Sequence, residues 1–132
     1  MKPWALLSYL LRYPDEGMVE TARAEVAALP RGPVRDALER FVAEWDGDPS
    51  QYVETFDLRR RNSLHLTYYT HGDTRNRGMA LLRLKKLYRA AGLPMDSPEL
   101  PDHLVVMLAF AALAPEGHGE AVLEEHRPAL EL

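Results

Sequence analysis

The chain has 132 residues, enough for one domain around one core and too few to expect two. Its 46% hydrophobic and 27% charged residues are ordinary for a globular protein, and no apolar run approaches the ~20 residues that a membrane span needs. A net charge of −4 argues against a general nucleic-acid binder, and the absence of cysteine removes disulfides, thiolate nucleophiles and zinc–cysteine sites together.

Hydrophobic spacing is helical nearly throughout. The start, Met1 to Arg12, has the charged-then-apolar outline of a signal peptide. Tyr9, Arg12 and the lack of a small-residue cleavage site favour an amphipathic first helix instead, with Pro3 at its first turn and Trp4, Leu7, Leu10 and Leu11 recurring as far as Tyr13-Pro14. Asp15 is the expected N-cap of a second helix carrying Met18, Val19, Ala22, Val26 and Leu29, which stops before Pro30. Arg31-Gly32-Pro33 punctuates the chain before a third, with Val34, Leu38, Phe41, Val42 and Trp45 expected on one face. Gly47-Asp48-Pro49 breaks it, and Asp48 or Ser50 starts a short fourth helix through Tyr52, Val53, Phe56 and Leu58.

Leu64 to Thr70 is ambiguous: its Leu, Thr and Tyr residues suit a strand, but no sheet partner is evident. Asp73 or Thr74 caps the next helix, which turns Leu81, Leu84, Leu87 or Tyr88, and Ala91 inward and ends at Gly92 and Pro94. Prolines 94, 98 and 101 then stiffen a connector, which reads as a rigid hinge where two halves of a helical domain could open around a guest peptide. Asp102 is expected to cap the run Leu104 to Ala114, which is apolar all round and so reads as a helix buried on every side. A last amphipathic stretch begins near Gly119, and Ala129-Leu130-Glu131-Leu132 keeps helical spacing with no stop signal after it. The expected architecture is one all-α domain over residues 1–132.

Chemistry-bearing side chains crowd into Leu66-Thr67-Tyr68-Tyr69-Thr70-His71-Gly72-Asp73-Thr74-Arg75-Asn76-Arg77-Gly78. Hydrogen-bonding groups at that density are hard to explain by packing, since each one buried without a partner costs about 1–3 kcal/mol. The five histidines, at 65, 71, 103, 118 and 126, show no zinc-like spacing and read as surface or capping residues. His71 with Asp73, or Asp102 with His103, would suit general acid–base work only beside a nucleophile or metal, and none stands near. The opening of a helix with two arginines at His71–Gly78 would suit a phosphate, yet it has neither the lysine of a triphosphate loop nor the three glycines of a dinucleotide fold. No acidic residue falls between Thr74 and Met95, where Arg75, Arg77, Arg83, Lys85, Lys86 and Arg89 all lie. Because Tyr88 sits on the apolar stripe, these charges read as a solvated face rather than a nucleic-acid surface.

The Leu66–Gly78 block, followed about twenty residues later by Glu99-Leu100-Pro101-Asp102-His103-Leu104, resembles the delta-subunit assembly chaperones of respiratory nitrate reductase. This NarJ family belongs to the wider group of TorD- and DmsD-type redox-enzyme maturation proteins. The likeness runs from the opening helix, Leu6 to Pro14, to His126-Arg127-Pro128-Ala129-Leu130. It implies a TorD-like all-α fold, a cytoplasmic location, no catalytic activity, and no metal or cofactor of the chain's own. It also implies binding to the N-terminal segment of the molybdenum-containing catalytic (alpha) subunit of nitrate reductase. The bis-molybdopterin guanine dinucleotide cofactor is then inserted into that subunit, and membrane docking is delayed until assembly is complete. Carried onto this chain, the implied peptide-binding residues are Tyr68, Tyr69, His71, Asp73, Arg75, Arg77, Asp102 and His103. Family members run on past residue 132 with further helices and a charged tail, so uncovered apolar surface and a homodimer or larger assembly are expected here. The alternative, from another class, is a small nucleotide-dependent enzyme or GTP-responsive switch built on His71–Gly78 and Pro101–His103.

Overall fold

The computed structural model describes residues 2–59, 62–72, 74–95 and 98–131. No strand occurs among them, as the periodicity predicts. The helices are α1 Pro3–Leu10, α2 Met18–Ala27, α3 Pro33–Glu44, α4 Pro49–Tyr52, α5 Leu66–His71, α6 Arg75–Ala90, α7 Leu104–Leu113, α8 His118–Glu125 and α9 Arg127–Leu130. A π-helical turn, Val53–Asp57, continues α4.

Local chemistry explains most boundaries. Asp48 caps α4, its carboxylate accepting from Ser50 N at 2.9 Å. Helix α6 ends in a Schellman turn: Gly92 takes φ +80°, Leu93 N donates to Tyr88 O at 2.9 Å, and Gly92 N to Arg89 O at 3.0 Å. Two expected caps are corrected. Helix α2 opens after Gly17, at φ +81°, two residues beyond Asp15, whose backbone carbonyl closes the preceding turn by accepting from Met18 N. The cap of α7 is His103, whose Nδ1 accepts from Val105 N at 3.1 Å; Asp102 is turned away from that helix. Thr74 flanks α6 without capping it, since its hydroxyl donates instead to His71 O at 2.7 Å. Asp73, the other candidate, lies outside the described residues.

The core has two apolar clusters. Leu6 and Leu10 of α1 pack with Ala22 and Val26 of α2 and Leu38 and Val42 of α3. The second gathers Leu84 and Tyr88 of α6, Met107 and Phe110 of α7, and Val122 and Leu123 of α8. Helix α1 joins them: Leu7 touches both clusters, and buried Ser8 donates to Val105 O of α7 at 2.7 Å. The single face expected of α3 is split, with Leu38 and Val42 inside while Val34 and Phe41 are exposed, Phe41 stacking on Trp45 at 5.5 Å. Helix α7 is likewise not enclosed on every side, because Leu113 at its end is 72% exposed.

Candidate functional site

The ambiguous segment Leu64–Thr70 becomes α5, preceded by one β-bridge. His65 pairs antiparallel with His103 through Leu66 N to Asp102 O, at 3.1 Å, and Leu104 N to Leu64 O, at 2.8 Å. Those bonds flank a non-hydrogen-bonded pair, whose side chains project together on one face. The two imidazoles accordingly meet edge to face with centroids 4.9 Å apart.

Asp102 is completely buried at the centre of this junction. Its Oδ2 accepts from the Thr67 hydroxyl at 2.6 Å, from Thr67 N at 3.2 Å and from Arg77 Nη2 at 3.3 Å; its Oδ1 lies 3.2 Å from His65 Nδ1. Arg77 Nε in turn donates to the Thr67 hydroxyl at 3.3 Å. Burial alone would raise the Asp102 pKa, but hydrogen bonds from His65 and Thr67, with the charges of His65 and Arg77, outweigh it and hold the carboxyl at about 2. The anion therefore ties α5, α6 and the connector together. The His103 pKa is lowered as well, here chiefly by burial, with neighbouring His65 adding to the shift against the raising pull of Glu99, Asp102 and Asp57.

Beneath the carboxylate, Tyr88 is 1% exposed and donates its hydroxyl to Pro101 O at 2.7 Å. The connector thus enters α7 pinned by a backbone bridge, a buried anion and a tyrosine. Burial, then the Asp102 charge, push the Tyr88 pKa well above the ordinary tyrosine value. The folded state favours neutral Tyr88, so its contribution is complete below the unfolded pKa of ~10 and is lost above it, by about 1.4 kcal/mol per pH unit. Denaturant midpoints measured from about pH 8 to about pH 11 should fall at the alkaline end. Tyr88→Phe should flatten that fall, and an unchanged slope would show that Tyr88 is not its source.

The residues singled out from the sequence divide by position. Asp102 and His103 join the junction just described. Arg77, with a side chain 16% exposed, reaches it from α6 and also sits over the Tyr68 ring, 6.0 Å from its centroid. Tyr69 is half-buried against the second cluster and donates to Ser63 O at 2.7 Å. Arg75 is exposed. His71 stands apart, lining a cavity of about 640 Å³ between α5, α6 and the α8–α9 corner, with Asn76, Met79, Arg83, His126 and Pro128 among its walls. Asp73 falls outside the described residues. His65 and Thr67 are what the sequence reading missed. Their position two apart at the ambiguous segment's start was visible, but nothing local pairs them with residue 102.

A second concavity, of about 270 Å³, is more aromatic: Phe41, Trp45, Tyr52 and Phe56 line it with Leu10 and Pro14. No helix among the described residues is long and apolar enough to cross a membrane.

A family model described as "Nitrate reductase delta subunit" matches residues 35–132. Over 129 residues the chain is 42% identical to "Nitrate reductase-like protein NarX" of Mycobacterium tuberculosis H37Rv, covering 94% of this chain and 20% of that protein. It is 33% identical over 131 residues to "Probable nitrate reductase molybdenum cofactor assembly chaperone NarJ" of Bacillus subtilis, covering 93% of this chain and 71% of the relative. With "Nitrate reductase molybdenum cofactor assembly chaperone NarJ" of Escherichia coli K12 it shares 35% identity over 137 aligned positions, 96% of this chain and 58% of that one. The chain thus spans about a fifth of NarX and between 58% and 71% of these two NarJ proteins. With most of its length inside the family match, on an all-helical frame, the chain belongs to the nitrate reductase delta subunit family.

Proposed function

We propose that the chain is an assembly chaperone for nitrate reductase, acting in the cytoplasm by binding and not by catalysis. The observation that carries this reading is the 33% identity with a Bacillus subtilis relative, 71% covered, whose name states the role of molybdenum cofactor assembly chaperone. In the proposal the guest is the N-terminal segment of the catalytic alpha subunit. Its capture keeps that subunit receptive to the molybdenum cofactor and delays membrane docking.

Physical features of the chain support a peptide guest. The cavity beside His71 is lined both by apolar side chains, among them Met79, Ala80, Leu84 and Ala129, and by polar ones, among them His71, Asn76, Arg83 and Glu125. An amphipathic segment is recognised by such a combination, apolar residues in the groove and polar ones fixing register. Within this proposal His71 and Arg75 touch the guest, Asp73 joins them from its motif position, and Tyr68, Tyr69 and Arg77 form the adjoining wall. Asp102 and His103 act through the junction, holding α5 and α6 in place. The nucleotide-switch alternative relies on His71–Gly78, which has no triphosphate-loop lysine, and on Pro101–His103, where the Asp102 carboxylate is enclosed and already accepts from Thr67, His65 and Arg77. No specific observation favours it.

The test is a calorimetric titration with a synthetic peptide matching the N-terminus of the cognate alpha subunit, with sedimentation of the same samples to score the proposed homodimer. Saturable binding with a Kd near ~1 µM or tighter is expected. His71→Ala and Arg75→Ala should each weaken it by about tenfold, the effect of losing ~1.4 kcal/mol at an interface. Absence of binding, or indifference to both substitutions, would sink the peptide reading or its placement respectively.

A further inference from the structure

Nothing in the sequence spacing marks a metal site, yet folding brings three ligand-type side chains to one point. His65, Glu99 and His103 each offer a ligand atom within 4.8 Å of the other two, and among the described residues no other three such side chains converge as closely. His65 Nε2 stands 3.8 Å from Glu99 Oε1. The His65 and Glu99 side chains are 31% and 43% exposed, so an ion arriving from solvent has access to both. The β-bridge, rather than chance surface proximity, sets the two imidazoles side by side.

The arrangement around His65 carries the argument further. Its Nδ1 faces the anionic Asp102 at 3.2 Å, so the proton of the neutral ring sits on Nδ1 and the lone pair on Nε2 points outward toward Glu99. A carboxylate that orients a histidine and raises its basicity in this way is the usual outer partner of a metal-bound imidazole. Here that partner is itself locked by Thr67 and Arg77.

We propose that His65, Glu99 and His103 bind a zinc-class divalent transition-metal ion, with buried Asp102 as the outer carboxylate behind His65. Two imidazoles and one carboxylate suit zinc, leaving a position for water. His103 Nδ1 now accepts from Val105 N at 3.1 Å. Ligation through Nδ1 takes that lone pair directly, while ligation through Nε2 moves the ring proton to Nδ1, so in either case the metal replaces the cap of α7. No net proton is released from imidazoles that start neutral. The ion clasps the connector to the residue ahead of α5, across the same two segments that Asp102 joins from inside. This inference does not rest on the chaperone reading and is tested apart from it.

The experiment is calorimetric titration of the chelator-stripped chain, free of any added histidine tract, with Zn²⁺, and separately with Co²⁺ to read coordination from its visible bands. One saturable site is expected, together with a shift of the Val105 amide resonance on Zn²⁺ addition. Glu99→Gln, which alters an exposed side chain outside both apolar clusters, should weaken binding by at least ~10-fold, the lower end for disturbing a metal-bound set. His103→Gln should do the same, whereas His118→Gln, on an exposed residue of α8, should leave the affinity unchanged. No saturable binding, or an unchanged affinity in the Glu99→Gln/His103→Gln double variant, would overturn the proposal.

Discussion

Asp102→Ala is expected to cost about 3–5 kcal/mol of unfolding free energy, the range seen when one member of a buried charged network is removed. The carboxylate is fully buried and accepts from three residues, so its loss deprives the buried Thr67 N–H and hydroxyl of their acceptor while Arg77 loses its anion. At roughly 4 °C per kcal/mol for a chain of this size, the thermal midpoint should drop by ~12–20 °C. Asp102→Asn keeps a carbonyl for Thr67 and should cost less, about 1–3 kcal/mol. Urea denaturation of the two variants beside the parent measures both. A loss under ~1 kcal/mol for Asp102→Ala would mean that water or a neighbour replaces the carboxylate, and that the junction is not held by it.

The second large effect concerns how closely α7 and α8 approach. Gly119, buried in the first turn of α8, lies against Ala111 of α7; a Cβ there would overlap the Ala111 backbone and stand 2.6 Å from its Cβ. Glycine to alanine inside a helix ordinarily stabilises by up to ~1 kcal/mol. The obstacle at Gly119 is backbone, which cannot rotate away, so Gly119→Ala should instead destabilise by about 1–3 kcal/mol. Gly78 provides the opposite case, since it is exposed on α6 with nothing within 4 Å of an added Cβ. Gly78→Ala should stabilise by about 0.5–1 kcal/mol. Differential scanning calorimetry of the pair would show the midpoint moving in opposite directions, and a stabilised Gly119→Ala would contradict the tight crossing.

Much of the candidate site was legible as a list of residues but not as an arrangement. The Tyr68–Arg77 block and Pro101-Asp102-His103 stand out by type and by family resemblance. Asp102 shows where such reading ends. An aspartate just ahead of an apolar helix is a sound expectation for an N-cap, and here the adjacent histidine takes the cap because Asp102 has stronger partners elsewhere. Those partners lie 35 and 37 residues back along the chain. His65 looked like one scattered histidine among five, and only its bridge to His103 gives it a neighbour.

Composition and local pattern alone determined the helical class, the positions of the long helices and the stop at Gly92, and narrowed the start of α4 to Asp48 or Ser50. Each of these depends on interactions within about one or two turns of the chain, so a short window contains the whole cause. The tertiary structure alone decided that Asp102 faces inward, that Leu38 and Val42 are covered while Val34 and Phe41 are not, and that His65 meets His103 and Glu99. Those outcomes are set by which helices pack together and by the cost of leaving a buried charge without partners, and both are fixed by contacts between distant parts of the chain.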